Sequence, residues 1–181
     1  MGPGAASSTT STAWYVTVDS DLTDFSSNLP VVVLENFGDN VFIASEKDAY
    51  WAIFEPQEVD GLTSLLGTPE LQTRAGIRIR GTSSANFPKK AFSIEAWDEK
   101  NQDKNISPLG LPADSDWILN AYYLDRALSR NSFMFELSNQ MGGGGSDQQE
   151  VRLVSQVDMS RLPIFTFVPK LLRDRVARQG L

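Results

Sequence analysis

The chain of 181 residues carries 16 lysines and arginines against 23 aspartates and glutamates, a net charge of −7, with 41% hydrophobic and 10% aromatic residues. This is too apolar for a disordered chain and fits one ordinary domain or a piece of a larger one, while the acidic balance argues against binding along a nucleic-acid backbone. Histidine and cysteine are both absent, which removes Ser-His-Asp triads, thiol nucleophiles, disulfides, zinc knuckles and a histidine general base.

In chain order, residues 1–12 (MGPGAASSTTST) read as a flexible leader. They lack the basic and apolar regions of a signal peptide, and no apolar run approaches the roughly 20 residues of a membrane span. Residues 13–141 read as globular, dominated by period-2 patterning. Trp14, Val16 and Val18 alternate with polar neighbours, and Val31-Val32-Val33-Leu34 is a short buried-strand run. Gly38-Asp39-Asn40 suggests a hairpin turn into a strand at Val41-Phe42-Ile43. Residues 50–54 (YWAIF) form a further strand that stops at Pro56. Ile77 and Ile79 alternate with Arg78 and Arg80, and Phe92, Ile94 and Ala96 alternate with Ser93, Glu95 and Trp97. A helix is predicted over about 126–141, with Asp125 as N-cap, an apolar stripe of Leu128, Met134, Leu137 and Met141, and Gly142 as C-cap. The fold class is α+β: mostly antiparallel sheet with one main helix.

Residues 142–146 (GGGGS) form a glycine-rich linker, followed by a tail of different charge over 147–181. The tail holds six basic residues and four acidic ones, net +2, which leaves −9 before it. Strands are expected over 151–157 and 164–168, able to pair onto an open sheet edge, and a short basic helix over 169–178.

Glycine-rich nucleotide fingerprints, P-loops and calcium loops are absent. Asp19, Asp21 and Asp24 read as a solvated turn, and Asn105-Ile106-Ser107 is a glycosylation sequon whose meaning depends on secretion. The informative stretch follows Ile79. Arg80, Gly81, Thr82, Ser83 and Ser84 make a turn rich in hydroxyls and backbone N–H groups, and Pro88 leads Lys89 and Lys90 into the next strand. Such a turn suits phosphate, although a polar hairpin with cations facing water has the same composition. Arg130 and Asn131 lie near a strand–helix junction, where a cap plus a salt bridge would also explain them.

Together these blocks resemble the spore coat protein H (CotH) kinase family. The resemblance rests on Arg80-Gly81-Thr82-Ser83-Ser84, Pro88-Lys89-Lys90-Ala91-Phe92, Gly110-Leu111-Pro112 to Asp116-Trp117, the run Asp125-Arg126-Ala127-Leu128-Ser129-Arg130-Asn131, and Met141-Gly142, and covers about residues 29–142. It implies the N-terminal lobe of an atypical protein-kinase-like fold that binds ATP with Mg and, in the full family, phosphorylates serine on spore-coat or secreted proteins, hence an extracellular or cell- or spore-surface location. It carries phosphate contact over to Arg80, Gly81, Thr82, Ser83, Ser84 and Lys89 or Lys90. Arg130 and Asn131 become cleft positions, and Glu136 the candidate partner of the lysine. Inward alternation with Phe92 and Ile94 would favour Lys90, and both lysines stay candidates. The family's later strands and its catalytic and metal-binding aspartates have no counterpart, so no catalytic residue or metal ligand is assigned and an inactive partial domain is expected. Its exposed face would invite self-association. The alternatives are a surface binding or adhesion module without nucleotide chemistry, or a non-functional fragment.

Overall fold

The computed structural model describes residues 20–41, 43–125, 127, 130–142, 148–155 and 164–169. In chain order they form β1 (Ser26–Ser27), β2 (Val31–Glu35), β3 (Lys47–Phe54), β4 (Thr63–Ser64), β5 (Leu71–Arg80), β6 (Ala91–Trp97), β7 (Asp116–Asn120), α1 (Arg130–Gln140), β8 (Gln149–Ser155) and β9 (Ile164–Pro169). The protein is therefore mostly β with one helix among the described residues, as the patterning indicates.

The sheet is not open. Seven strands close into a barrel in the order β2-β3-β5-β6-β7-β9-β8, and β1 with β4 makes a small separate ribbon. The pairings are antiparallel except where β8 returns beside β2, with Val31 opposite Arg152 and Leu34 opposite Ser155 in parallel register. The two strands expected in the tail are thus present, and they fill the gap between β7 and β2. Arg152 anchors this closure at one end: its backbone N–H donates to Pro30 O at 2.9 Å and its Nε to Ser27 Oγ at 3.1 Å.

Alternate residues fill the barrel. Val32, Trp51, Ile53, Ala75, Ile94, Ala96, Trp117, Leu119, Val151, Leu153 and Phe165 all belong to one buried cluster. Trp51 and Trp117 meet edge to face at 6.4 Å, and alanines at 49, 75 and 96 make room for them. Small residues set opposite bulky ones allow a narrow barrel to fill at native density. A second cluster explains why residues 31–34 do not alternate. Val31 and Val33 face outward but are covered, with Tyr50, Ala52, Phe54 and Leu65, by Leu22 and Phe25. A strand buried on both faces reads as a continuous apolar run.

Two expectations are corrected. Val41 and Ile43 are not in a strand: residues 36–41 and 43–46 make a connection between β2 and β3, and β2 pairs with β3 instead. Phe37 and Gly38 both take positive φ, 57° and 78°, which breaks the extended chain before Val41. The helix runs Arg130–Gln140, with Ala127 in a turn, while residues 126, 128 and 129 of the expected span lie outside the described residues. Asp125 still serves its start, accepting from the backbone N–H of Ala127 at 3.2 Å and of Arg130 at 3.0 Å. The strand expected at 14–18 and most of the basic helix expected over 169–178 lie outside the described residues, with Pro169 ending β9.

If the tail strands are integral to the barrel, truncating Leu153 must cost as much as truncating any core leucine. Leu153 is only 3% exposed, so Leu153→Ala is expected to lower unfolding free energy by about 2–5 kcal/mol in a urea melt. A loss near zero would mean β8 is not seated.

Candidate functional site

The phosphate-type turn sits where β5 gives way to β6. The ladder ends at the pair Arg80–Ala91, and Gly81 then takes φ +107°. A Cβ there would come within 2.0 Å of Ser84 Oγ, so the backbone and the Ser84 side chain occupy space that only glycine leaves open. A single 3-10 turn, Ser84–Asn86, follows with Ala85 buried beneath it. Thr82 and Ser83 are exposed above it, and Arg80 is exposed at the strand end.

The two lysines take different roles. Lys90 Nζ folds back to donate to Ala85 O at 2.7 Å, with Phe87 O at 3.5 Å, so its ammonium staples the turn. Lys89 Nζ lies 4.5 Å from the centroid of Phe165 at the end of the barrel interior, and burial pushes its ammonium pKa down. Extending the β6 alternation would turn Lys90 inward with Phe92 and Ile94. The structure turns Lys89 toward the interior ring instead, because the ladder stops at Ala91 and the alternation stops with it.

The second motif block reaches this turn through one aromatic contact. Phe87, beside Pro88, packs on Tyr123 with ring centroids 5.3 Å apart, and Tyr123 precedes Asp125 at the approach to α1. Arg130 pairs with Asp125 through Nε–Oδ1 at 3.4 Å while 78% of its side chain stays exposed, so the cap-and-salt-bridge explanation holds for its contacts. Asn131 is exposed on α1. Glu136 is exposed too, its Oε1 accepting from Gln140 Nε2 at 2.9 Å, and among the described residues it forms no ion pair with either lysine. The structure therefore ties Lys90 to the turn and Tyr123 to Phe87, seats Lys89 against Phe165, and shows no hydrogen bond or ion pair among the described residues between either lysine and Asn131 or Glu136.

Sequence reasoning missed Phe165, which comes from the tail and floors Lys89, and it missed a cleft at the other end of β5. There the Trp97 indole lies across β5 because Gly76 has no side chain; a Cβ at Gly76 would meet the ring at 2.3 Å. The visible signal was a tryptophan on the polar parity of β6. Its glycine partner is apparent only once the register pairs Gly76 with Glu95, two residues before Trp97.

Between the two ends, on the outer face, Arg78 Nε meets Glu46 Oε1 at 3.2 Å. Glu95 stands close by, its pKa pushed up to about 7, first by burial and then by sharing a proton with Asp103 and Glu46. Glu55 is likewise pushed up to about 7, mainly by its hydrogen bond to Glu70 and then by burial.

Residues 77–158 match the family model described as CotH kinase protein. The match is to a partial segment of that family, consistent with a partial CotH kinase domain. The matched span takes in the turn, both lysines and α1, and it runs past the glycine run to include β8. No curated protein matches the chain.

Because both raised glutamates hold protons more tightly folded than unfolded, stability must fall as pH rises from about 4.5 through about 7 and level off above. Urea midpoints measured from pH 5 to pH 8 are expected to decline, and Glu95→Gln to flatten the decline and raise the midpoint at pH 8. An unchanged pH profile in Glu95→Gln would contradict the shared proton.

Proposed function

We propose that this chain is a nucleotide-binding lobe of a CotH-type kinase, holding the phosphates of ATP over the turn at residues 80–84 with Lys89 as the cation. The observation that carries this reading is the pairing of a glycine-enforced turn with a half-buried lysine beside it. Gly81 leaves the backbone open, Thr82 and Ser83 present hydroxyls to solvent, and Lys90 holds the loop in place through its carbonyls. Lys89 then supplies positive charge from a partly desolvated position, where a phosphate gains more from it than from a fully hydrated ammonium. Arg80 adds a second cation at the strand end, and Arg130 and Asn131 stand at the entrance to α1.

The residues fit the phosphates and not the metal. Among the described residues no group of three or more acidic, histidine or cysteine side chains is placed to hold an ion, so Mg would be held by the phosphates themselves. Phosphoryl transfer depends on positioning and on metal neutralising developing charge. With no aspartate pair among the described residues to place metal or to orient an acceptor hydroxyl, nucleotide binding without phosphate transfer is the activity this reading assigns to them. The serine of a secreted or coat protein belongs, on this reading, to the reaction of a complete domain, at an extracellular or spore surface.

A second reading, a protein-binding module, is favoured by α1. Phe133, Met134 and Leu137 fall on one face of the helix and are 65%, 59% and 37% exposed, and Met141, just past its end, is 78% exposed.

The test is a urea melt followed by tryptophan fluorescence with and without Mg-ATP. A cooperative transition that ATP moves upward is expected, by about 2.7 kcal/mol at a hundred times Kd. Lys89→Ala is expected to keep the transition and lose the ATP shift. A shift that survives Lys89→Ala overturns the lysine assignment. A cooperative transition indifferent to ATP overturns nucleotide binding and leaves the second reading.

A further inference from the structure

A cleft of about 470 Å³ opens at the far end of β5 from the turn, between Gln72, Thr73 and Arg74 on one side and Trp97, Asp98 and Lys104 on the other. Arg74 and Arg80 are six residues apart on one strand, so roughly 20 Å separates the cleft from the turn. It is a second place, independent of the phosphate reading.

The walls are fixed before any ligand arrives. Arg74 and Trp97 are direct cross-strand partners, and the indole is laid down on Gly76. Thr73 Oγ1 donates to Trp97 O at 3.0 Å and accepts from Lys104 Nζ at 3.3 Å, tying both sides together. The loop carrying Lys104 is closed by its own hydrogen bonds: Asp98 N–H donates to Gln102 O at 2.8 Å, and Lys104 N–H to Ala96 O at 2.9 Å. Little ordering entropy would be lost on binding.

The free groups in the cleft are mostly donors. Among the described residues Arg74 forms no ion pair. Lys104 gives its ammonium to a neutral hydroxyl. Gln72 already uses its Oε1 to accept from Tyr50 O–H at 3.0 Å, which leaves the amide N–H₂ for another partner. Two carboxylates line the cleft as well: Asp98, whose Oδ1 accepts from the backbone N–H of Lys100 at 2.7 Å and of Gln102 at 2.9 Å and whose charge also feels Lys104, and the exposed Glu99. Neither cation is in a salt bridge with these acids among the described residues, so two unbridged cations and an amide donor beside an indole suit a negative charge joined to a flat ring.

From this arrangement we infer that the cleft binds a small ring-bearing anion, its charge between Arg74 and Lys104 and its ring against Trp97. Arg74 supplies a planar fork and Lys104 a point charge, so a phosphate or carboxylate head group is held from two directions. Trp97 accounts for selectivity toward a ring over a bare anion.

Calorimetric titration of the full chain with phenyl phosphate, inorganic phosphate and benzyl alcohol tests this, since each of the last two carries half of the proposed ligand. Phenyl phosphate is expected to bind at least tenfold tighter than either half. Arg74→Gln combined with Lys104→Gln is expected to weaken it at least tenfold, and the charge-retaining Lys104→Arg to keep it; both positions lie outside the buried core. Lys89→Ala, at the other end of β5, is expected to leave it unchanged whether or not ATP binding fails there. Phenyl phosphate binding no tighter than inorganic phosphate overturns the proposal. So does affinity that survives the double substitution, or that is lost in Lys89→Ala.

Discussion

The structure depends on the closure of the barrel by β8. A sheet of β2, β3, β5, β6 and β7 alone would leave two edges with unpaired backbone groups and one side of its apolar interior open to water. The parallel pairing of β8 with β2, and its antiparallel pairing with β9, removes both edges and completes the wall around Trp51 and Trp117. Val151, Leu153 and Phe165 enter the same buried cluster as residues more than seventy positions earlier in the chain. The charge change across the glycine run therefore marks a change in surface and not a break in the core.

Once the barrel is closed, β5 becomes the member around which chemistry is arranged. It pairs with β3 on one side and β6 on the other over most of its length, so both of its ends are held rigidly. Two glycines on or beside it act by different means. Gly81 is required by its positive φ and by Ser84 Oγ, and it shapes the turn. Gly76 has ordinary strand conformation and is required because Trp97 lies where its side chain would be. One glycine makes room for a backbone path, the other for an aromatic wall.

The helix is the least supported element. At eleven residues it falls below the length at which an isolated helix is stable in water, and none of its residues is buried. Its start is secured by Asp125 and its approach by the packing of Tyr123 on Phe87. That leaves Phe133, Met134 and Leu137 exposed, and Glu136 hydrogen-bonded to Gln140 with no ion pair among the described residues. No helix among the described residues is long and apolar enough to cross a membrane.

Much of this was legible in the residues. The strands around 31–34, 50–54, 77–80, 92–96 and in the tail follow from apolar periodicity, because a strand half in water must alternate. The glycine of the turn and the lysines after Pro88 were apparent because such chemistry is local in sequence. The motif blocks were enough to indicate the family, and the family match agrees with them. What tertiary structure decided was every relation between distant segments: the parallel return of β8, Phe165 under Lys89, Trp97 over Gly76, and which lysine faces inward. Those depend on register and closure, which are set by how the whole interior packs, and no local pattern of residues carries that information.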